Sequence, residues 1–491
     1  MAKTKTIPNV MEIVMATSDK SESAHKTQMI KKGILRKIAP KIYTTNMDDP
    51  PEIIIKRNLF YILGRLYPHA VISHRSADEM RPTESGDFFL TYTYTKNVSL
   101  PGVTVHLMKG PMGTENDMPF IENLYISSSE RRMLENLQKG RSRLSVSKCL
   151  PRIVVEDKLE RILQVNGESG LNVFRDKARA IARDLDMTDE FETLNAIIGA
   201  MLSTKPSGIL SSASSIARAK GEPFDSERVT LFETLFGALH NEPFAYIDEP
   251  NIENAAFRNF AFFESYFSNY IEGTEFEIED ARQIIETGLP LPARNEDSHD
   301  VLGTFLLVAS RREMRRTPAS FDELIELLQE RHRILMKARP DRHPGMFKTM
   351  NNHAGDTHFV DYRLVRGTLR KGYEFYRALE HPFAKSLFML FMISEVHPFN
   401  DGNGRISRIM MNTELVAAGQ SKIIIPTVFR DDYLNALRRL TRKGDPSVFI
   451  RAISRARQFS ANITGNDFQT TRNYLESCNA FKDSAEYILR F

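Results

Sequence analysis

The chain has 491 residues, of which 41% are hydrophobic and 26% are charged, and its formal net charge is +3 at pH 7. This composition is typical of a globular protein, and the length predicts about three domains. The sequence has no apolar run as long as a membrane span, and its N-terminus lacks the apolar core of a signal peptide. Since Cys149 and Cys478 are too few for a disulfide framework, we expect a soluble cytoplasmic protein with no membrane partner.

The N-terminal segment from Lys3 to Lys41 is strongly basic. It carries nine lysines and arginines against three acidic residues, Glu12, Asp19 and Glu22. Such a segment suits a nucleic-acid partner. The alternative is a basic, solvated helix that only packs on the rest of the chain.

The elements of this region follow a recognisable order: a Lys-rich helical stretch, KKGILRKIAPKIYTT, a helix through Leu59 to Leu66, and AVISHRSA. This order resembles the winged-helix start of AbiEi-like antitoxins, in which a small basic domain precedes a mixed α/β region. The resemblance implies a winged-helix-like basic module over residues 1–80, DNA as a partner and a place in a toxin-antitoxin system.

Residues 81–240 predict a mixed α/β segment and then a helical connector. Phe88 to Tyr94 and Val103 to Leu107 are rich in aromatic and β-branched residues with a Pro-Gly turn between them, so they predict two strands. Amphipathic helices alternate with turns from Val154 to Leu239. Within this part, Gly208 to Ala217 predicts a loop or hinge because small residues dominate there.

A domain boundary is predicted near Asn241, and a helix over residues 256–272 follows it. Apolar side chains recur there at helical spacing and predict a buried stripe, formed by Phe260, Phe263, Phe267 and Ile271. Ser268 and Glu272 are four residues apart and share a face, and Gly273 ends the helix. By itself, Glu272 could be a surface residue of the last turn, where the helix dipole mildly disfavours it.

A short hairpin is predicted within residues 343–365. Pro344-Gly345 marks a turn, and turn-forming residues from Asn351 to Asp356 precede the strand-like Thr357 to Val360. A plain surface hairpin is one interpretation. His353 and His358 have no cysteine or carboxylate cluster beside them in the sequence, so we interpret them as hairpin residues rather than metal ligands.

Residues His397 to Arg408 read HPFNDGNGRISR and connect two predicted helices. The first is an apolar helix over Phe383 to Val396, which Pro398 ends, and the second runs from Gly402-Asn403-Gly404 to Gly419. The N-terminus of the second helix offers free N–H groups and the positive end of the helix dipole. It is therefore an anion site, and its glycines let a phosphate approach closely.

The charged residues of this stretch fit the same chemistry. Arg405 and Arg408 are three residues apart and share a face, from which both can bind phosphate. Asp401 would be repelled by phosphate unless a hard cation such as Mg²⁺ lay between them. His397 has an ordinary pKa near 6.5, which makes it the natural general base.

HPFNDGNGRISR resembles the signature of the Fic family, H-x-F-x-[D/E]-G-N-G-R-x-x-R, and matches it at every fixed position. The resemblance implies a mainly α fold, with an all-helical Fic domain and its β-hairpin flap over residues 241–460. It also implies an enzyme, a nucleotidyltransferase that moves AMP from ATP to a Ser, Thr or Tyr hydroxyl of a protein. Because Gly404 is present, nucleotidyl transfer is favoured over the phosphoryl transfer of another Fic branch.

The resemblance assigns a role to each motif residue. His397 would deprotonate the target hydroxyl, and Asp401 would hold Mg²⁺. The nucleotide phosphates would be bound by Gly402, Asn403, Gly404, Arg405 and Arg408. Tyr433 falls where many Fic proteins place an aromatic ring against the nucleobase, and a core tyrosine is the alternative.

Two further segments resemble Fic elements. SNYIEG resembles the inhibitory motif [S/T]-x-x-x-E-[G/N], so Glu272, with Ser268, would pair with Arg408 and exclude the γ-phosphate. The hairpin resembles the flap that holds a target segment by strand addition. This implies target docking by His353, Thr357, His358 and Phe359.

Three functions stay open at this point. The leading one is an autoinhibited protein adenylyltransferase. The others are a DNA-binding regulator with a nucleotide-sensing Fic site and a bifunctional enzyme that also removes AMP. The sequence leaves a homo-oligomer open, and residues 461–491 predict a C-terminal tail with a helix through Tyr474 to Leu489.

Overall fold

The computed structural model of the chain describes residues 12–16, 20–139, 146–202 and 208–491. Lys3 and Lys5 of the basic segment lie outside the described residues. The chain divides into two compact units, residues 1–220 and 221–491, and each is described by itself.

The first unit contains two sheets within the described residues. Its strands are β1 (Ile13–Met15), β2 (Arg36–Ala39), β3 (Ile42–Thr44), β4 (Val71–Ile72), β5 (Asp87–Tyr92), β6 (Lys96–Leu100), β7 (Val103–Lys109), β8 (Met118–Pro119) and β9 (Tyr125–Ile126). An antiparallel three-stranded sheet has the order β1-β3-β2, and a mixed six-stranded sheet has the order β6-β7-β5-β4-β9-β8. In the mixed sheet β5 runs parallel to β7, and β4 runs parallel to β9.

In the sequence, the helices of the first unit lie between and after these strands. They are α1 (Lys20–Lys31), α2 (Pro51–Arg57), α3 (Leu59–Leu66), α4 (His74–Glu79), α5 (Ser129–Glu135), α6 (Arg152–Asp184), α7 (Thr188–Leu202) and α8 (Ala213–Ala219). The predicted strands at Phe88 and Val103 and the predicted helix α3 are confirmed. The winged-helix assignment of residues 1–80 stays a prediction.

The predicted hinge at Gly208 to Ala217 is wrong in its second half. Helix α8 begins there, at Ala213. The hydroxyl of Ser212 accepts a hydrogen bond from the N–H of Ser215, so serine acts as a helix N-cap rather than as part of a loop.

The second unit is helical apart from one hairpin, formed by β10 (His353–Ala354) and β11 (Thr357–His358). Its helices are α9 (Ser226–His240), α10 (Asn254–Ile271), α11 (Ile278–Thr287), α12 (Asn295–Val308), α13 (Arg311–Met314), α14 (Phe321–Leu335), α15 (Val365–Ala378), α16 (Pro382–Val396), α17 (Asn403–Ala417), α18 (Arg430–Lys443), α19 (Pro446–Ala461) and α20 (Phe468–Ser477). The predicted mainly α fold is confirmed.

Helix α16 lies at the centre of this unit. Its residues from Leu387 to Ile393 are fully buried on every face, as expected for an apolar helix without a polar stripe. Each buried Phe or Leu contributes about 1.5–3 kcal/mol by leaving water. The helix packs against α9, α15 and α17, so the residues that follow its C-terminus are held by a rigid core.

Helix α9 belongs to the second unit. Its Phe232 is fully buried and makes edge contacts with Phe388 and Phe391 of α16. The sequence predicts the boundary near Asn241, but the structure divides the chain at residues 220 and 221. The four-part division of the chain stays a prediction.

The C-terminal helix differs from its prediction. It is α20, which ends at Ser477, whereas the sequence predicts a helix through Tyr474 to Leu489. Asp467 caps its start by accepting from the N–H of Thr470, and Asn479 adopts a left-handed conformation that stops it. In the part of the chain that the structure describes, no helix combines the length and hydropathy that crossing a membrane requires.

Candidate active site

The turn between α16 and α17 places His397 beside the N-terminus of α17. His397 ends α16 in a left-handed conformation, with φ of 51°, and its N–H donates to the carbonyl of Ile393 at 3.0 Å. Gly402 precedes α17 with φ of 73°, a conformation that favours glycine. The Asn403 side chain closes the turn, since it accepts from Phe399 N–H at 2.8 Å and donates to Phe399 carbonyl at 2.9 Å.

His397 is set up as a neutral base. Its Nδ1 lies 3.3 Å from the carbonyl oxygen of Ser394, which can only accept, so Nδ1 carries the proton and Nε2 carries the lone pair. Burial lowers the pKa of His397 to about 4, and the positive charge of Lys348 adds to this effect. At neutral pH, Nε2 can therefore take a proton.

The N-terminus of α17 forms the side of the site at which the sequence predicts anion binding. Its first helical hydrogen bond runs from the Ile406 N–H to the Gly402 carbonyl, at 3.0 Å. The N–H groups of Asn403, Gly404 and Arg405 precede that bond and point out of the helix end. This confirms the predicted helix start at the Gly-Asn-Gly turn.

Asp401 lies at the mouth of this turn. Its side chain is 40% exposed, and Oδ1 accepts from the Gly402 N–H at 2.6 Å. A single carboxylate fits Mg²⁺, which commonly binds one or two protein carboxylates together with substrate phosphates and water. In the described residues, no group of three or more His, Cys, Asp and Glu side chains could hold a metal.

The two arginines of the motif have different surroundings. Arg405 is only 3% exposed, and its Nη1 lies 2.7 Å from Oδ2 of Asp300 on α12. Asp300 also accepts from Nε of Arg339 at 3.0 Å. The structure thus places Arg405 in a buried ion pair that joins α17 to α12, and its predicted phosphate contact stays a prediction.

Arg408 binds the last turn of α10 and the residue that follows it. Its Nη2 donates to Oε1 of Glu272 at 2.8 Å and to the Ser268 carbonyl at 2.7 Å, and its Nε donates to the Ser268 hydroxyl at 3.0 Å. Burial alone would raise the pKa of Glu272, but the Arg408 guanidinium holds it below its ordinary value. The structure therefore brings together the three residues that the inhibitory motif predicts.

Glu272 also lies against Gly404. A Cβ atom at Gly404 would collide with Oε1 of Glu272. The carboxylate therefore occupies space directly beside the N-terminus of α17, where an anion would otherwise approach the main chain.

Tyr433 is buried in the wall of the site. It is 1% exposed, and its hydroxyl lies against the Arg408 guanidinium. Burial raises its pKa. This environment suits the core tyrosine that the sequence left as an alternative, and contact with a nucleobase stays a prediction.

The β10–β11 hairpin and the residue that follows it, Phe359, cover His397. The Phe359 ring stacks on the imidazole, with centroids 3.6 Å apart and an interplanar angle of 6°. The hairpin base is tied to the turn by Asn352, which donates to the Phe399 carbonyl at 2.9 Å. His353 and His358 face each other across the two strands and are exposed, and Thr357 is half-buried.

His332 on α14 is a site residue that the sequence does not reveal. Its ring stacks on Phe399 with centroids 3.8 Å apart. Nδ1 accepts from the Gly345 N–H at 2.8 Å, so Nε2 carries the proton and donates to the Asp401 carbonyl at 3.0 Å. His332 thus holds the main chain of the motif, and a lone histidine far upstream carries no sequence signal of this contact.

A cavity of about 510 Å³ joins these parts. Its lining includes His397, Gly404, Arg408 and Glu272, together with the hairpin and one face of α18. This volume lies within the range of roughly 300–1,000 Å³ that is usual for small-molecule sites.

Residues 321–415 match the model of the Fic/DOC family. The chain is 31% identical over 216 residues to the protein adenylyltransferase Fic of Drosophila erecta, which is 41% of this chain and 42% of that protein. It is 29% identical over 244 residues to the protein of the same name from Drosophila willistoni, which is 48% of this chain and 46% of that one. The matched regions thus span less than half the length of these curated relatives.

A solved structure of Fic-1 from C. elegans is also similar. The two chains share 17% sequence identity with a TM-score of 0.36, and the alignment covers 66% of this chain and 88% of that one.

Proposed function

We propose that this chain, which carries a Fic domain at residues 321–415, is a protein adenylyltransferase that is inactive at rest. One observation carries the proposal. A neutral histidine base, His397, lies in the same turn as the anion-binding N-terminus of α17, within a complete Fic motif.

The proposed reaction uses these groups in order. The N–H groups at the start of α17 bind the phosphates of ATP and orient the α-phosphorus. His397 takes the proton of a Ser, Thr or Tyr hydroxyl on Nε2. The hydroxyl oxygen then bonds to the α-phosphorus, the bond from that phosphorus to the bridging oxygen breaks, and pyrophosphate leaves.

Asp401 is the residue that would hold Mg²⁺ in this proposal. When bound, the ion would neutralise phosphate charge beside the carboxylate. The partial exposure of Asp401 supports this role, because the carboxylate is open to a ligand.

Autoinhibition by Glu272 is part of the proposal. The carboxylate pairs with Arg408 and lies beside Gly404, so a γ-phosphate would meet a negative charge where it needs a cation. Two like charges that lie this close to each other repel. ATP would bind in a productive pose only after Glu272 releases Arg408.

The proposed acceptor is a protein segment bound along the hairpin. Strand addition needs an open strand edge, and β10 and β11 form a sheet of only two strands in the described residues. A cytoplasmic location is supported by Cys149 and Cys478, which are both unpaired. DNA as a partner of residues 1–80 and a homo-oligomer rest on the sequence alone.

ATP labelled at different phosphates tests the proposal. We expect the Glu272→Gly protein with Mg-ATP to transfer label from the α-phosphate to protein, at least tenfold faster than wild type, and to transfer none from the γ-phosphate. Glu275→Gly is the matched control, because it removes an exposed carboxylate three residues further along. Label from the γ-phosphate, or equal labelling by wild type and Glu272→Gly, would overturn the proposal.

A further inference from the structure

The cavity extends from the motif along one face of α18. Tyr433, near the start of α18, lies against Arg408 at the phosphate end. Leu434, Leu437 and Thr441 also line the cavity, at the spacing of one helix face. With a rise of 1.5 Å per residue, Thr441 lies about 12 Å further along the axis than Tyr433. A nucleotide with its phosphates at α17 would therefore extend its nucleoside half toward Thr441.

Glu395 is the charged residue of α16 that faces this far end. It is 3% exposed and lines the cavity, two residues before His397. Its Oε2 accepts from the Thr441 hydroxyl at 2.6 Å. Two leucines of α18 beside it give an apolar surface of the kind on which a base can pack.

The other oxygen of Glu395 keeps acceptor capacity. Oε1 lies 2.8 Å from Nε of Arg228, but the alignment is too poor for a hydrogen bond, and both atoms are buried without one. A carboxylate offers about four lone-pair sites, so the contacts to Thr441 and Arg228 do not use them all. A buried acceptor with capacity left usually bonds to protein, to ordered water or to a ligand, and Glu395 lines the cavity in which a ligand would bind.

An ionised carboxylate only accepts hydrogen bonds, so its ligand must present a donor. The nucleoside half of a nucleotide has two kinds of donor, the ribose hydroxyls and the exocyclic amine of the base. Burial raises the pKa of the Glu395 carboxyl, and the neighbouring Arg228 guanidinium opposes this only in part.

We propose that Glu395 is a specificity-determining residue that accepts a hydrogen bond from the nucleoside half of the bound nucleotide. This inference rests on the proposed function only in taking the start of α17 as the phosphate side. A purely structural role is the rival explanation. Arg228 also donates from Nη2 to the His358 carbonyl at 2.6 Å, so Glu395 could act only by holding the hairpin through Arg228.

Nucleotide binding, measured by calorimetry in the Glu272→Gly background, tests the proposal. The probes are ATP, its 2′-deoxy and 3′-deoxy forms, and purine riboside triphosphate, which lacks the amine. We expect the Glu272→Gly protein to bind ATP roughly tenfold or more tightly than at least one of these analogues, because that analogue lacks a hydrogen bond to a charged group. The analogue that loses affinity identifies the donor as ribose or base.

Adding Glu395→Gln, which keeps the shape of the side chain, should reduce that discrimination to about threefold or less, and Glu395→Ala should abolish it. Asn352→Ala is the matched control, which removes the hydrogen bond from the hairpin base to the Phe399 carbonyl but leaves Arg228 and Glu395 in place. We expect it to change the affinity for all four nucleotides alike. Thermal unfolding shows that each variant is folded.

Three results would overturn the proposal. The Glu272→Gly protein fails to discriminate among the probes, the Glu395 variants weaken all four nucleotides equally, or Asn352→Ala abolishes discrimination as Glu395→Ala does. Since the readout is binding, a failure of AMP transfer from labelled ATP would reject the proposed function and leave this result standing.

Discussion

His397 derives its base character from its immediate contacts. The Ser394 carbonyl fixes the tautomer, and burial under the Phe359 ring removes the water that would stabilise a charged imidazole. Lys348 adds a positive charge nearby, and its Nζ donates to the Asn352 side chain at 2.7 Å. The His397 imidazole is therefore neutral at pH values far below the ordinary pKa of histidine.

We expect the pH profile of kcat/KM for AMP transfer by the Glu272→Gly protein to stay level from pH 8 down to about 6. The free-enzyme pKa of His397 is about 4, so the acidic limb should fall well below pH 6.5. Lys348→Gln should move that limb to higher pH, because it removes a nearby positive charge.

Lys337→Met, which removes an exposed cation, is the control and should leave the limb in place. A limb centred at pH 6.5 in the parent protein would contradict this account of His397.

At the scale of elements, the site depends on how the end of α10 meets α17. Arg408 makes three hydrogen bonds there, two to Ser268 and one to Glu272. The phenylalanine stripe of α10 anchors the rest of the helix in the core, with Phe260, Phe263 and Phe267 at 2% exposure or less. Release of Arg408 therefore requires movement of the last turn and not of the whole helix.

We expect Ser268→Ala to activate AMP transfer partly. The change removes the hydroxyl that accepts from Nε of Arg408 but keeps the Ser268 carbonyl and Glu272. A hydrogen bond to a charged group contributes about 1.5–3 kcal/mol, so basal transfer should rise by about tenfold and stay below that of Glu272→Gly. Transfer rates of the three proteins with labelled ATP provide the measurement, and a rate unchanged from wild type would count against this role of Ser268.

The elements that the sequence predicts well are those with a local pattern. The helices on either side of the motif follow from apolar periodicity, Pro398 and the glycines, and Glu272 follows from a short motif. The contacts of Arg405 do not follow, because its partner Asp300 lies on α12, remote in sequence. The cluster of Glu395, Arg228 and Thr441 is likewise assembled from three helices, and only tertiary packing brings these residues together.

On the scale of the whole molecule, stability is linked to buried histidines of the second unit. Burial lowers the pKa of His332 to about 4, although the Asp401 carbonyl opposes this by accepting from its ring. The unfolded chain has the ordinary value near 6.5, so between pH 6.5 and 4 the unfolded state binds more protons than the folded state. The contribution of the neutral His332 to stability is therefore fully present above pH 6.5 and is lost as pH falls toward 4.

We expect the free energy of unfolding of the second unit to decrease by about 3 kcal/mol between pH 6.5 and 4 from His332 alone. His397 acts in the same direction, since its pKa is lowered to a similar value. The measurement is urea unfolding followed by circular dichroism at several pH values. His332→Gln should be less stable at pH 7 and show a shallower pH dependence, and an equal slope in both proteins would exclude His332 as a source.

Intact-mass spectrometry of the purified Glu272→Gly protein after incubation with Mg-ATP tests most directly whether a transferase site is held silent by Glu272. We expect the mass to rise by one or more adenylyl groups, while the wild type and the double variant with His397→Ala keep their original mass. Adenylylation of the wild type to the same extent, or adenylylation that persists without His397, would contradict a site that depends on this base and is restrained by the Glu272–Arg408 pair.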